Sequence, residues 1–256
     1  MVSGKVDRAD NKKKVNAPFN GKKALVIGGS GGIGGALSQA LSCAGAELFI
    51  IGGTSKKRLE RTAAGIKKTD APVRTLLMNL NEETKIQEIL SFCPEPDILV
   101  CAYGPFLRKN LNETDQHDWG KMVALNLILP GSLVSACLGG MMKRRWGRIL
   151  LFGGTNTDTI RAFSTTVAYA SAKTALNVLA KSVAKIASSC NISCNVICPG
   201  LTDTEYMDNE SKQYNKTHAP GGKVLTIAEI ASFGLDILKN PALNGGIFPI
   251  DHGIVL

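Results

Sequence analysis

The sequence predicts an α/β domain in which a mostly parallel sheet of seven strands carries helices on both faces. Short apolar runs alternate with longer stretches of helical spacing after residue 20, and the runs are apolar at nearly every position. Strands of this composition are typical of parallel sheets that are covered on both faces. The chain has 256 residues, of which 44% are hydrophobic and 20% are charged, which suits one globular domain that needs no disulfide or metal to fold. We therefore expect one domain over residues 21–256, after a basic and flexible tail over residues 1–20.

Turn residues bound the apolar runs, so the strands can be placed in order. Helical stretches such as residues 35–45 and 174–188 lie between them. Thr226 followed by Glu229 forms a capping box, which predicts a late helix that begins near residue 227. The seven strands are expected within residues 23–29, 46–53, 73–79, 96–102, 147–154, 192–200 and 244–251.

Charge and cysteine content argue against several classes of function. The formal net charge is +9, and the first twenty residues hold five Lys or Arg and two Asp, so five minus two gives +3 for the tail. The other positive charges are spread out rather than clustered with aromatic side chains, so nucleic-acid binding is not expected. No apolar run reaches about 18 residues without a charge, so we expect no membrane-spanning helix. The seven cysteines form no CxxC pair and no Cys/His cluster, which predicts free thiols, no metal site and a cytoplasmic protein.

The glycine-rich segment GGSGGIGG, residues 28–35, is the strongest local signal. It follows the first strand and opens a helix, and such a junction presents backbone N–H groups and the positive end of the helix to a phosphate. The segment matches both G-x-G-x-x-G and G-x-x-x-G-x-G, and its position after the first strand favours dinucleotide binding over a simple tight turn. The residues expected at the phosphates are Gly28, Ser30, Gly32, Ile33 and Gly34.

The end of the second strand indicates which dinucleotide is bound. An Asp or Glu at this point accepts the 2′-hydroxyl of the adenosine ribose and repels a 2′-phosphate. Here Gly52 and Gly53 end the strand, and Thr54, Ser55 and Lys56 follow. Hydroxyls and cations suit a 2′-phosphate, so NADP(H) is favoured over NAD(H); the alternative is a helix start that is basic by chance.

Tyr169 and Lys173 lie four residues apart in the string YASAK, so on a helix they share one face. A phenol has a pKa of about 10, and a nearby ammonium stabilises the phenolate and lowers that pKa. The glycine loop, the ALNL segment at Asn126, the strand GRILLFGG, this string and the Pro199–Gly200 pair follow one another along the chain. In this order they resemble the signatures of the short-chain dehydrogenase/reductase family, and the nearest in look are its 3-oxoacyl-[acyl-carrier-protein] reductases.

The resemblance implies a single-domain Rossmann fold and an NADP(H)-dependent oxidoreductase that reduces a carbonyl to an alcohol by hydride transfer. Tyr169 would donate the proton, and Lys173 would lower its pKa and hold the nicotinamide ribose. Asn126 would hold a water in a proton relay. Further cofactor contacts are implied for Asn79, Leu80, Ala102, Gly104, Pro199, Gly200, Thr202 and Thr204.

The resemblance also implies a small carbonyl or alcohol substrate and a homo-oligomer, either a tetramer or a dimer, built on helices near residues 112–139 and 164–189. An acyl carrier protein is a further candidate partner, because the basic segment at residues 141–148 resembles that of those reductases; the alternative is favourable charge at a helix end. The polar segment over residues 205–222 is expected to be an irregular, mobile lid over the substrate.

Departures from the family pattern bear on the chemistry. Gly154 falls where the family has a catalytic Ser, so we predict that the hydroxyl of the adjacent Thr155 takes that role. Cys101 and Tyr103 stand within the segment where the family has Asn-Asn-Ala-Gly, and the function of Tyr103 is open. The alternative function, given the missing hydroxyl, is a nucleotide-binding homologue with weakened chemistry that senses or regulates.

Overall fold

Seven apolar segments pair as the strands of one sheet in the computed structural model, which describes residues 17–66, 71–205, 207 and 209–254. The strands are β1 Lys23–Ile27, β2 Glu47–Gly52, β3 Val73–Leu77, β4 Ile98–Cys101, β5 Gly147–Phe152, β6 Ile192–Pro199 and β7 Ile247–Ile250. All neighbouring pairs are parallel, in the order β3-β2-β1-β4-β5-β6-β7. Each predicted strand is present, so the predicted fold class is confirmed.

The order of the strands reverses between β1 and β4, because β2 and β3 lie on one side of β1 and β4 to β7 lie on the other. Ile27 of β1 is paired with Cys101 of β4 at this point. Ligands of open parallel sheets bind in the crevice beyond the carboxyl ends of the strands at this reversal. The residues that follow β1, β4, β5 and β6 therefore meet at one edge of the sheet. The candidate site lies at this edge.

Helices cover both faces of the sheet. They are α1 Gly32–Cys43, α2 Lys56–Ile66, α3 Ile86–Phe92, α4 Gln116–Val123, α5 Leu129–Arg144, α6 Val167–Ala187, α7 Asn209–His218 and α8 Ile227–Lys239. Alternate strand residues point to opposite faces, so one side packs Leu25 and Ile149 against Leu133 of α5 and Leu176 of α6. The other side packs residues such as Val26 and Leu150 against Leu37 of α1 and Ile230 of α8.

Local sequence explains where two of the helices begin. Asp115 caps α4 by accepting a hydrogen bond from the N–H of Asp118, whose own carboxylate accepts from the N–H of Asp115. Thr226 and Glu229 make the same reciprocal pair at the start of α8. The predicted capping box is confirmed, and α8 begins at Ile227 as expected.

A single wide turn of π-helix over Ala124–Ile128 joins α4 to α5 without interruption. The continuous helix over residues 116–144 is long and apolar enough to span a membrane by length and composition, which differs from our expectation of no such helix. Its buried side chains, among them Met122, Leu133 and Met141, pack in the core of the domain. It therefore has the packing of a core helix.

The packed domain begins before residue 21. Phe19, which we assigned to the flexible tail, is buried, and its N–H donates to the carbonyl of Ala44 at 2.9 Å. Its ring packs edge-on against Trp146, with the ring centroids 6.4 Å apart. A single aromatic residue between Pro18 and Asn20 is too short a signal to separate it from the tail. The rest of the predicted tail, residues 1–16, lies outside the described residues.

The segment expected to be an irregular lid contains a helix, α7, over Asn209–His218. Its residues are polar and mostly exposed, and Asn215 is buried on its inner side. The Nδ2 of Asn215 donates to the carbonyl of Thr202 at 3.4 Å, which joins α7 to the segment that follows β6. The sequence does not predict this helix, because its residues are polar and only the face that carries Asn215 is buried.

Candidate active site

Tyr169 and Lys173 lie on the same face of α6, one turn apart, as the spacing predicts. The ammonium nitrogen of Lys173 is 5.9 Å from the centre of the Tyr169 ring. Its Nζ donates to the carbonyl of Phe152 at 2.8 Å, which ties the side chain to the end of β5. Lys173 is buried. The structure therefore holds both groups at the edge of the sheet where the crevice lies.

Burial governs the pKa values of this pair. Desolvation raises the pKa of the Tyr169 phenol, and the nearby Cys198 raises it further. Desolvation also lowers the pKa of Lys173 to about 8, against smaller opposing effects of Cys101 and Cys198. We expected the ammonium to lower the pKa of the phenol, and this arrangement does not bear that out. The reason is that burial disfavours the charged form of each group, the phenolate and the ammonium alike.

Asn126 lies in the wide turn between α4 and α5 and comes close to Lys173 across Gly104. Its Nδ2 donates to the carbonyl of Pro105 at 3.0 Å. Its Oδ1 is buried and receives no hydrogen bond from the described residues. Gly104 separates Asn126 from Lys173 so closely that a Cβ at position 104 would overlap Oδ1 and lie 2.9 Å from Nζ. A small polar group held between these residues, such as a water, would satisfy Oδ1.

Gly154, after β5, is the residue that faces the phenol. A Cβ at this position would lie 2.7 Å from the Tyr169 hydroxyl oxygen. The hydroxyl of Thr155 instead donates to the carbonyl of Pro199 at 3.1 Å. That contact engages its proton, so a serine-like role for Thr155 stays a prediction that this geometry does not favour. The buried Thr157, which sequence reasoning passed over, donates to the Gly154 carbonyl at 3.0 Å and holds this turn in place.

The glycine loop connects β1 to α1 in a way that brings the backbone close to any ligand in the crevice. Gly28 has a φ of +84°, which favours glycine, and its N–H donates to the carbonyl of Ile51. A Cβ at Gly34 would overlap the carbonyl of Gly28, so the helix packs tightly on the loop. Ser30 and Ile33 lie in the same turn and first helical turn. The start of α1 thus has the open backbone that phosphate binding needs, and phosphate binding at these residues stays a prediction.

The end of β2 lies beside this loop. A Cβ at Gly52 would be 2.8 Å from the Cβ of Ser30. Ser55 accepts a hydrogen bond from the N–H of Arg58, and exposed Lys56 forms only a loose pair with Glu60 at 3.9 Å. Thr54 is exposed. The hydroxyls and the cation expected at a 2′-phosphate are therefore available at this edge.

The residues after β3 and β4 close the crevice next to the loop. Leu80 is buried, and Asn79 beside it is exposed. Ala102 donates its N–H to the carbonyl of Ile27 at 2.9 Å. Tyr103 packs so closely on the loop that a Cβ at Gly28 would be 2.9 Å from its own Cβ, and its hydroxyl donates to the Leu80 carbonyl at 3.3 Å. Burial raises the pKa of the Tyr103 phenol.

The segment after β6 brings the last group of predicted contacts to the same edge. The N–H of Gly200 donates to the carbonyl of Ile250 at 2.9 Å, and the hydroxyl of Thr202 donates to the carbonyl of Gly200 at 2.9 Å. Thr204 follows, and directly after it the carboxylate of Glu205 accepts a hydrogen bond from the N–H of Gly32 at 2.8 Å. The glycine loop and this segment therefore meet, although 173 positions separate the two residues.

Two residues of the segment after β4, Phe106 and Arg108, make contacts with aromatic rings. The exposed Phe106 ring packs edge-on against Tyr169, with centroids 5.0 Å apart. The guanidinium of Arg108 lies over the ring of Tyr214 in α7 at 4.7 Å, and that ring stacks on His218 at 3.8 Å. Sequence reasoning missed the Arg108–Tyr214 contact, because no spacing relates a loop residue to a helix that lies elsewhere in the chain.

Comparison with known proteins identifies the relatives of this chain. A family model described as short chain dehydrogenase matches residues 22–215. A 3-oxoacyl-[acyl-carrier-protein] reductase of Haemophilus influenzae is 32% identical over 247 residues, which cover 90% of this chain and 99% of the relative. The reductase of the same name from Escherichia coli is 30% identical over 252 residues, which cover 91% of this chain and 99% of the relative.

Solved structures have the same fold. A short-chain dehydrogenase/reductase from Serratia marcescens superposes with a TM-score of 0.80 at 26% identity, over 93% of this chain and 99% of that one. A 3-oxoacyl (acyl-carrier-protein) reductase from Agrobacterium tumefaciens, whose crystals hold NADP, has a TM-score of 0.83 at 24% identity, over 97% of this chain and 100% of that one. The chain therefore belongs to the short-chain dehydrogenase/reductase family, resembles its 3-oxoacyl-[acyl-carrier-protein] reductases, and is an NAD(P)-dependent oxidoreductase of the carbonyl-reductase type.

Proposed function

We propose that this chain is an NADP(H)-dependent reductase that converts the carbonyl of a 3-oxoacyl thioester to an alcohol, with Tyr169 as proton donor. The arrangement of Lys173 carries the proposal: it meets Asn126 across Gly104, and its ammonium nitrogen lies 5.9 Å from the centre of the Tyr169 ring. The two relatives compared above are 3-oxoacyl-[acyl-carrier-protein] reductases at 30% and 32% identity, which supports the substrate class.

The cofactor would be held along the crevice by the residues predicted for it. The loop from Gly28 to Gly34 would hold the phosphates, and Thr54, Ser55 and Lys56 would hold a 2′-phosphate. The absence of an acid at the end of β2 supports NADP(H) over NAD(H). When it is bound, the reduced nicotinamide supplies the hydride.

The side chains of the site then donate the proton and replace it. A raised pKa keeps the Tyr169 phenol protonated at neutral pH, so its O–H can be given to the carbonyl oxygen as that oxygen gains charge. The phenolate left behind lies one turn from Lys173, whose ammonium would offset only part of the free-energy cost of burying that charge. Asn126 Oδ1, buried beside Lys173 without a donor among the described residues, suits a water that returns a proton to this pair.

Gly154 makes this a site with fewer hydrogen-bond donors than the family pattern provides. No side chain at position 154 can polarise the carbonyl, and loss of one such donor costs about 10²–10³ in rate. The site retains its phenol and its lysine, so we propose slow chemistry rather than a regulatory homologue without turnover.

The basic segment at residues 141–148 gives the acyl-carrier-protein interaction little support. Arg144 pairs with Glu95 at 3.3 Å and with Asp97 at 3.6 Å. Arg148 is buried and donates to the carbonyl of Asn191 at 2.8 Å. Arg144 and Arg148 therefore make contacts within the domain, which favours a structural role for the basic segment over a binding site for an acyl carrier protein. The exposed apolar edge of Phe106 beside the phenol suits an acyl chain instead.

We further propose that the protein is a homo-oligomer, a dimer or a tetramer, and that it resides in the cytoplasm. Ile128 beside α5 and Val178 and Ile186 on α6 are exposed apolar side chains at 58%, 69% and 58%. An open groove of about 690 Å³ between α3, α5 and α6 lies next to them. All seven cysteines are free thiols, as a reducing compartment allows.

Consumption of NADPH tests the function directly. The purified chain is offered acetoacetyl-CoA, a panel of simple ketones and pterins, and each is also tested with NADH. We expect turnover of the thioester, preference for NADPH, and loss of turnover but not of NADPH binding in Tyr169→Phe. Tight binding without turnover of any substrate would favour the regulatory alternative, and a preference for NADH would refute the assignment of Lys56 and its neighbours.

A further inference from the structure

The start of α1 is the helix end that should bind the phosphates, and it already holds a carboxylate. The first turn of α1 contains no acidic side chain, and its N-cap residue, Gly31, makes no side-chain cap. The N–H of Gly32 instead donates to Glu205 Oε1 at 2.8 Å. Negative charge is stabilised at this end of a helix by its dipole and its free N–H groups.

Little else in the described part of the chain fixes this carboxylate. Glu205 is exposed and lies outside any helix or strand, between Thr204 and α7. The described Lys, Arg and His residues make no salt bridge with it. Its position is therefore explained by the helix end alone.

A dinucleotide would bring its diphosphate to the same N–H groups. Two anions at this helix end repel each other, because like charges a few ångströms apart are only partly screened at a protein surface. We propose that Glu205 is an internal competitor for the phosphate-binding end of α1, which a bound cofactor must displace. This inference rests on the proposed function, because it needs a dinucleotide in the crevice.

The structure offers the displaced carboxylate another partner. A cavity of about 290 Å³ opens beside the contact and is lined by Gly32, Arg61, Thr62, Glu205 and Ile227, among others. Arg61 is exposed on α2, and a guanidinium is a strong partner for a carboxylate. Because Arg61 and Glu205 line the same cavity, we take Arg61 as the partner of the displaced carboxylate.

The test compares Glu205→Gln with Glu210→Gln. The first removes the charge at α1 and keeps the shape of the side chain, whereas the second removes one charge from the exposed first turn of α7. The dissociation constants of NADPH and of ADP are measured by calorimetry at low and at high salt, with the melting temperature as the check on folding. We expect Glu205→Gln to bind both ligands about fivefold more tightly at low salt, with a smaller gain at high salt, and Glu210→Gln to match the wild type.

The outcomes separate this inference from the proposed function. NADPH binding that Glu205→Gln leaves unchanged or weakens overturns the competition and leaves the proposed function intact. No NADPH binding by the wild-type chain overturns the proposed function and this inference with it.

Discussion

At the scale of single residues, the surroundings of the catalytic pair decide its chemistry more than its spacing does. Tyr169 and Lys173 lie one turn apart as the sequence indicates, and on that basis alone the ammonium should lower the pKa of the phenol. Burial instead raises the pKa of the Tyr169 phenol and lowers the pKa of the Lys173 ammonium. A protonated phenol and a lysine that titrates near neutral pH suit a proton donor in a reduction.

The pKa of Lys173 predicts how reduction depends on pH. Its folded-state pKa is lowered to about 8, so the ammonium is present below that pH and is lost above it. We expect kcat for thioester reduction to be level below pH 8 and to fall roughly tenfold per pH unit above it. Initial rates at saturating NADPH measure this, and the melting temperature at each pH controls for unfolding. A kcat that stays level to pH 10 would contradict the role of the ammonium.

Gly154 predicts that restoring the family's serine does not restore activity. A Cβ at this position would lie 2.7 Å from the Tyr169 hydroxyl oxygen, so the phenol must shift. Overpacking of this kind costs about 1–3 kcal/mol of stability. Because the displaced phenol is also misaligned for proton transfer, we expect kcat to fall about tenfold or more in Gly154→Ser.

Gly154→Ala is the matched control, since it adds the same carbon without a hydroxyl. Both variants should be slow if the contact with Tyr169 controls the rate. The prediction would be contradicted if Gly154→Ser were faster than the wild type while Gly154→Ala were slow. That result would mean that the Tyr169 phenol moves to make room and that the serine hydroxyl polarises the carbonyl.

At the scale of elements, the helices position the site through their ends and irregularities. The wide turn between α4 and α5 aims Asn126 at Lys173, and the start of α1 offers its N–H groups to the crevice. Nothing in the ALNL segment predicts an extra residue in that turn, because the π-helical geometry depends on packing against α6 and the loop after β4. The capping boxes, by contrast, depend on neighbouring residues alone.

The cap of α8 gives a prediction about stability without a change of function. Thr226→Ala removes the hydroxyl that accepts from the N–H of Glu229, and loss of such a cap costs about 1 kcal/mol. We expect the free energy of unfolding in urea to fall by about that amount and NADPH binding to be unchanged. Thr217→Ala is the control and should change stability less, because the Thr217 hydroxyl bonds only to groups within α7, the carbonyls of Gln213 and Tyr214 and the Nδ1 of His218. Equal loss in both variants would show that the cap contributes nothing particular.

At the scale of the whole molecule, the apolar surface on α5 and α6 predicts self-association. Val178→Asp places a charge on an exposed apolar position of α6, which is 69% exposed in the single chain. We expect the variant to sediment as a smaller species than the wild type. Ile160→Asp is the matched control, because Ile160 is an apolar residue that is 95% exposed but lies in the loop before α6. Dissociation by Ile160→Asp, or a wild-type monomer, would contradict the proposed interface.

The sequence by itself determined the parts that depend on neighbours along the chain. These are the seven strands, the glycine turn that opens α1, the Tyr169–Lys173 spacing and the Thr226 cap, since each follows from periodicity or from residues within one or two turns. Only the tertiary structure decided what meets across the chain. It buried Phe19, raised the pKa of Tyr169, turned Thr155 towards Pro199 and brought Glu205 onto Gly32. Desolvation and contacts between distant segments arise only when the sheet closes, and no local pattern encodes them.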